Sequence, residues 1–437
     1  MLKAVAGKKI HFVGIAGVGM SSVAVAAKGC GADVSGSDRY ADSGTSVAVL
    51  EVIKRMGIPV VPQDGSGIEK GTTLVVVSTA IEDDNPDLAR ARTLGVRIIH
   101  RSEMLAELVS GSSCIAVAGT SGKTTATGML GYLLEGLGAD PSVVNGGVVV
   151  NWKDDCHTGN ARIGSGDLWV IEADESDRSL LNYRPDRAII TNMSADHFDL
   201  AETEALFDAF SLQVNHVIVH GTMAGIDVQE LGANHAVFRC DDNPYTLNLA
   251  GVHNIENAGC AIRMCRQLGF TAKDIASVLK GFKGIERRLE CKGIARGVAI
   301  YDDYGHNPAK IEAAWSTLAP YYERLHVLWR PHGYGPLASM SDELVQMLSN
   351  VCRATDQFSV LPVYYVGGTV APSLDSEGFA NELNGAGVAA EYVSGYEDYA
   401  RLFDARVRGG DALVCMGARD PELPLFADRT VARLRDI

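Results

Sequence analysis

The stretch Cys114-Ile-Ala-Val-Ala-Gly-Thr-Ser-Gly-Lys-Thr-Thr125 constrains the fold more than any other part of this chain. An apolar strand runs straight into a Gly-Thr-Ser-Gly-Lys-Thr turn, and a segment suited to a helix follows. Backbone N–H groups of such a turn, together with a helix N-terminus, form a concave site for a polyphosphate. Lys123, read as an exposed loop cation, can reach the terminal phosphates, and the Thr124 hydroxyl can ligate Mg²⁺. Gly119, Thr120, Ser121, Gly122 and Thr125 complete the cradle. A strict phosphate-loop pattern needs glycine where Val117 stands, so a bare pattern scan passes over this loop. The chain reads as one that binds ATP or something close to it.

At 437 residues the chain is too long for one ordinary domain, and two or three are expected. A net charge of −15 argues against nucleic-acid binding, which demands a basic face. No apolar run approaches the roughly eighteen residues of a membrane span. Lys3, Lys8 and Lys9 before the run Ile10 to Ala27 suggest a leader, but the glycines and serines inside it fit a strand, loop and helix better. Nine cysteines without a Cys-x-x-Cys pair read as free thiols in a reducing cytoplasm.

Three segments follow one another, each alternating β-rich and helical runs, the pattern of parallel sheets covered by helices. In the first, Ile10–Ile15, Asp33–Ser37, Thr73–Ser78 and Val96–His100 read as strands and Met20–Gly29 as a helix. Between the first two strands, Gly17 and Gly19 fit two positions of a dinucleotide-loop fingerprint while Ser22 occupies the third. Asp38 closes the second strand, where an acidic residue can take ribose hydroxyls. In the second segment, Glu172, Asp174, Glu175 and Asp177 lie past one apolar run, and Asn192, Asp196, His197 and Asp199 lie past another. Ligands of open α/β sheets sit at the carboxyl ends of strands, so these clusters and the phosphate loop are expected to converge on a Mg-nucleotide site with room for a second metal. The third segment places polar turns after the runs beginning at Val298, Leu325 and Ala412.

Taken together, these residues resemble the Mur ligases of cell-wall synthesis, nearly end to end and most closely the alanine-adding branch. The likeness rests on His11-Phe-Val-Gly-Ile-Ala-Gly-Val-Gly-Met-Ser21, Ser78-Thr-Ala-Ile81, His100-Arg-Ser-Glu-Met-Leu105, Gly119–Thr125, Glu172-Ala-Asp-Glu-Ser-Asp177, Gly251-Val-His-Asn-Ile-Glu-Asn-Ala258, Gly284-Ile-Glu-Arg-Arg288 and Asp302-Asp-Tyr-Gly-His306. It implies an α/β protein of three domains. These are a Rossmann-like N-terminal domain at 1–109, a central P-loop ATPase-like domain at 110–287, and a Rossmann-like C-terminal domain at 288–437. The implied reaction is ATP-dependent amide ligation. An acyl phosphate on the carboxylate of UDP-N-acetylmuramate is attacked by L-alanine or another amino acid, in peptidoglycan precursor synthesis. A carboxylate needs such activation because its leaving group would otherwise be oxide, and the protein's work is positioning and charge neutralisation.

By the same resemblance, Gly17, Val18, Gly19, Met20, Asp38, Ser78 and Thr79 would bind the UDP-sugar. Lys123 would hold the ATP phosphates, Thr124 and Glu172 one Mg²⁺, and Glu172 and His197 a second. Asn254 and Asn257 would lie near the adenine, Arg287 or Arg288 near the γ-phosphate, and Asp302 or Asp303 near the ribose. His306 would orient substrate. The expected partners are a UDP-sugar and an amino acid, with no nucleic acid and no membrane, in a cytoplasmic monomer or weak homodimer.

This chain departs from that branch at Arg330-Pro-His-Gly-Tyr-Gly-Pro336, which keeps His332 and Tyr334 but has Gly333 and Pro336 where the branch has arginines. The planar fork of arginine suits an amino-acid carboxylate, so Arg330 and Arg419 are the expected substitutes. A sister ligase that attaches a peptide or uses another carboxylate is the alternative within the fold. A nicotinamide-dependent dehydrogenase would leave the phosphate loop without a purpose, and a non-catalytic nucleotide switch would leave the metal-type clusters unused.

Overall fold

A computed structural model describes residues 5–42, 47–194, 198–365 and 374–436. Apolar runs flanked by glycine-rich turns form the strands, and the three parallel layers expected from their alternation are present. The first sheet contains β1 (Lys9–Val13), β2 (Asp33–Ser37), β3 (Val60–Val61), β4 (Leu74–Val77) and β5 (Arg97–His100), ordered β3-β2-β1-β4-β5 and parallel throughout. The second contains β6 (Ser113–Ala118), β7 (Ser142–Val144), β8 (Ala161–Arg162), β9 (Leu168–Glu172), β10 (Arg187–Ile190) and β11 (Val217–His220). Its order is β11-β10-β6-β9-β7-β8, with β8 alone antiparallel to its neighbour. In both sheets the central strand, β1 or β6, ends directly beneath a glycine turn and a helix. That is the switch point at which such sheets bind ligands.

A small sheet of β12 (Ile226–Leu231), β13 (Ala236–Cys240) and β14 (Asn243–Leu247) was not expected from the sequence. Its β12 alternates half-buried and exposed positions, so it carries no continuous apolar run. The last sheet has the order β15-β16-β20-β17-β18-β19. Its strands are β15 (Glu290–Ala295), β16 (Val298–Asp303), β17 (Leu325–Trp329), β18 (Gln357–Val360), β19 (Ala390–Tyr392) and β20 (Ala412–Met416). Only β15 runs antiparallel there. Burial on both faces explains why β16, β17 and β20 are enclosed along their whole length.

The chain forms two compact units. Residues up to Glu230 join Ala236–Ile285 in one, and Leu231–His235 join the chain from Glu286 onward in the other. The first and second segments therefore share a unit while keeping separate sheets, with one apolar core cluster drawing on both. In the second unit, the turn between β12 and β13 is held by Tyr301, whose hydroxyl lies 2.9 Å from Asn234 Oδ1 and 2.7 Å from the Tyr322 hydroxyl.

Candidate functional site

The phosphate loop is built before any ligand arrives. Gly119 and Gly122 both take positive φ, at 134° and 80°, conformations that a side chain would strain. Residues after β10 fasten the loop from one side. Asn192 Oδ1 accepts from the Ser121 N–H at 3.0 Å and the Thr120 hydroxyl at 2.6 Å, and the Thr191 hydroxyl donates to the Ser121 carbonyl at 2.6 Å. Asn257 packs against Gly122 from another side, which places it at the phosphate loop, while Asn254 donates to the Ala250 carbonyl at 2.7 Å. The helix Lys123–Gly136 then begins with its first N–H groups at the mouth of the loop.

Lys123 differs from the expected exposed cation. Its side chain is 13% exposed and its Nζ lies 2.6 Å from Glu175 Oε2, with Asp174 Oδ1 at 3.9 Å. Burial pushes the Glu175 carboxyl up, against the pull of Lys123. Burial also works against ionisation of Asp174, yet Lys123, Ser176 and Arg101 together hold it below the usual carboxylate range.

Beside Lys123, the Thr124 hydroxyl donates to Glu172 Oε1 at 2.9 Å, and Glu172 Oε2 accepts from the Gly146 N–H at 2.7 Å. Hydroxyl and carboxylate oxygens at a helix N-terminus are hard donors of the kind Mg²⁺ takes. Asp196 and His197, expected beside them, lie outside the described residues. Among the described residues, no group of three or more His, Cys, Asp or Glu is arranged to hold a metal. The carboxylate and hydroxyl above would thus supply two of the protein's ligands.

The first-sheet loop has the shape expected of a nucleotide loop. Gly14 has positive φ, and the helix that follows starts at Val18, two residues before the sequence suggested. Asp38 is buried and both its oxygens are used, by the Ala16 N–H at 2.8 Å and the Tyr40 N–H at 3.1 Å. It ties the loop to the end of β2. Met20 is buried in the core, Ser78 and Thr79 stand past the end of β4, and Val18 is exposed. Arg101 was not among the residues expected here. It opens the helix Arg101–Val109 after β5, and its guanidinium lies against Gly19 and Asp174. Its signals in the sequence are its position at a strand end and its place in the motif His100-Arg-Ser-Glu-Met-Leu105.

In the second unit, the ends of β16, β17 and β20 carry the remaining expected residues. The His306 and His332 rings meet edge to face at 5.1 Å, and His306 also meets Tyr304 at 5.4 Å. Burial lowers the His306 pKa to about 4 and lowers that of His332, so both imidazoles are neutral at neutral pH. His332 Nδ1 is buried without a hydrogen-bond partner. Arg287 and Arg288 both lie over the Tyr304 ring. Arg287 also donates to the Gly417 and Ala418 carbonyls and pairs with Asp302 at 3.3 Å. Tyr334 packs on Tyr365.

Two expectations change in this unit. Asp302 and Asp303, expected beside a ribose, have internal roles. Asp302 is fully buried against Arg287, and Asp303 accepts from the Leu289 and Gly305 N–H groups at 2.7 and 2.6 Å. Arg330, expected to take a substrate carboxylate, is already engaged. It pairs with the buried Asp420 at 2.5 Å, donates to the Pro362 carbonyl at 3.1 Å and lies over the rings of Tyr364 and Tyr396. Arg419 is exposed and has no ion pair among the described residues. Its charge adds to the depression of the His332 pKa, which places it near that ring.

Comparison with known proteins bears on this arrangement. Residues 9–113 match the model for the Mur ligase family, catalytic domain, and residues 287–419 match the model for the Mur ligase, glutamate ligase domain. A UDP-N-acetylmuramate–L-alanine ligase of Acidobacterium capsulatum is 31% identical, with 98% of each chain covered. The protein of that name in Azorhizobium caulinodans is 34% identical, with 94% of each covered. Among solved structures, the UDP-N-acetylmuramate–alanine ligase of Thermotoga maritima superposes with a TM-score of 0.79 at 25% identity, covering 98% of this chain and 99% of that one.

Proposed function

Because the chain belongs to the Mur ligase family, we propose that it is an ATP-dependent ligase joining L-alanine to the carboxylate of UDP-N-acetylmuramate. The observation that carries this reading is the preformed phosphate loop with Lys123 and the Thr124–Glu172 pair at its mouth, in a chain matching ligases of that name over nearly its full length. The loop N–H groups and Lys123 hold the triphosphate and offset the charge that develops as the γ-phosphoryl group moves to the sugar carboxylate. Thr124, Glu172 and His197 would hold Mg²⁺, which when bound supplies charge neutralisation to the phosphates.

The acyl phosphate so formed exchanges phosphate for the amine of the amino acid, giving the amide. His306 and His332, neutral at working pH, can accept or donate hydrogen bonds without adding charge, and Arg419 offers the cation for the amino-acid carboxylate. Arg287 and Arg288, stacked on Tyr304, supply positive charge at the same strand ends. The loop Gly17–Gly19, with Asp38, Ser78 and Thr79 around it, takes the UDP portion. No helix among the described residues is long and apolar enough to cross a membrane, and all nine cysteines are free thiols, which suits a cytoplasmic enzyme.

The test is a screen of purified protein with ATP, Mg²⁺ and UDP-N-acetylmuramate against individual amino acids and short peptides, following phosphate release. Release that depends on L-alanine is the expected result. Release that needs a peptide instead would establish the sister activity, and release without any amine would remove the ligase reading.

A further inference from the structure

We propose that Lys123 passes from Glu175 to the phosphates when ATP binds, and that Glu175 takes up a proton from solvent in its place. This rests on the reading of the Gly119–Thr125 loop as the ATP site and adds a proton as a co-ligand of the nucleotide.

The two partners differ in how far they can move. Lys123 is the first residue of its helix and carries its ammonium on a flexible four-carbon stem. Glu175 lies in the turn after β9, and that turn is closed on itself. The Arg178 N–H donates to the Glu175 carbonyl at 2.9 Å. The Leu180 N–H and the Ser179 hydroxyl donate to the Asp174 carbonyl at 3.0 and 3.2 Å. The ammonium can therefore turn toward phosphate at the mouth of the loop, while the carboxylate stays where it is.

What stays behind is poorly placed to remain ionised. Glu175 is buried, Lys123 is its one ion-pair partner among the described residues, and Oε1 has no hydrogen-bond partner. Burial already pushes its carboxyl up against the pull of Lys123, and the charge of Asp174 pushes the same way. Arg178 gives no help, since its side chain pairs with Glu202 and lies over Phe198. Each bond that Lys123 makes to phosphate takes charge from Glu175, and the phosphates bring negative charge of their own. A proton on Glu175 then removes the cost of an enclosed, unpaired carboxylate. Asp174 is better provided for. It stands 3.9 Å from the ammonium and keeps Arg101 at 3.4 Å, with the Ser176 N–H and hydroxyl as donors. Of the two neighbouring carboxylates, Glu175 is the one that takes the proton.

Linkage fixes the sign. The ATP complex holds the proton more tightly than the free protein, so ATP affinity is greatest at low pH. It falls as pH rises through the range in which Glu175 of the complex titrates.

The experiment is calorimetric titration of ATP with saturating Mg²⁺ into the full chain, without UDP-sugar or amino acid, in buffers of unlike ionisation enthalpy. Wild type is expected to take up more protons than Glu175→Gln, by as much as one per ATP, and Asp174→Asn to keep most of that uptake. From about pH 6 to pH 8, the dissociation constant for ATP should rise about five- to a hundredfold more in wild type than in Glu175→Gln. Infrared difference spectra of the wild type on ATP binding give a reading that does not depend on any variant's folding: a protonated-carboxyl band should appear. Equal uptake in wild type and Glu175→Gln, or no such band, overturns the proposal, while ATP binding itself leaves the loop reading in place. Loss of the uptake in Asp174→Asn alone would move the proton to Asp174 and overturn it as well. If the wild type binds no ATP, the loop reading fails and the proposal with it.

Discussion

Lys123 and Glu175 depend on one another: the ammonium lies 2.6 Å from a carboxylate that is 2% exposed and whose second oxygen has no hydrogen-bond partner. The loop cation is therefore a structural counter-ion as well as a phosphate ligand. Lys123→Ala should abolish amine-dependent phosphate release, since loss of one such charge costs about 3 kcal/mol or more in the transition state. It should also destabilise the fold by about 3 kcal/mol, because a buried carboxylate is left unpaired. Adding Glu175→Gln should recover the stability, read by chemical denaturation, but not the turnover. A single variant with near-normal phosphate release would remove Lys123 from the nucleotide site.

Glu172 presents one oxygen to Thr124 and one to the Gly146 N–H. Glu172→Ala should raise the Mg²⁺ concentration for half-maximal activity by at least about tenfold, with excess Mg²⁺ or Mn²⁺ restoring part of the rate by mass action. Unaltered activity at limiting metal would show that Glu172 is not a ligand.

The two arginines of the second unit should separate cleanly. Arg330→Ala leaves Asp420 buried and unpaired, so a loss of about 3 kcal/mol in stability is expected. Arg419→Ala should leave the melting temperature unchanged and raise KM for the amino acid about ten- to a hundredfold, with KM for ATP little affected. Equal KM values for wild type and Arg419→Ala would mean that the carboxylate is held elsewhere.

Asp302 gives a pH signature. Burial is the largest influence on it and raises its carboxyl to about 7 against the pull of Arg287. The folded state thus holds the proton more tightly than the unfolded chain. That contribution to stability is complete below the ordinary carboxylate range and is lost as pH rises through about 7. Asp302→Asn removes the titration, so its stability relative to wild type should increase between about pH 5 and pH 8. A constant difference across that range would contradict the assignment.

Much of this was legible in the chain because it is local. The strand Asp33–Ser37 and the phosphate loop are read from contiguous residues, and the glycines at 119 and 122 mark turns that need positive φ. Strand ends such as Glu172 and Asn192 were expected to converge, and Thr124 with Glu172 and Ser121 with Asn192 show that they do. Contacts of long range were not legible. Arg101 stands seventy-three positions from Asp174, and Arg330 ninety from Asp420, and no periodicity encodes such pairings. The same limit hid the burial of Asp302 and Asp303. A run that is enclosed on both faces, Val298–Asp303, still reads as polar at its end.

The turn Leu231–His235 has a practical consequence for anyone who divides this chain. A fragment starting at Glu286 would carry all six strands of the last sheet and still lack a piece of its own interior. The Tyr301 hydroxyl, enclosed beneath that turn, would lose Asn234 and retain Tyr322 alone. Truncation, domain exchange between relatives, or a split-protein design cut at the boundary near 285 must therefore bring along a short loop encoded some fifty residues upstream.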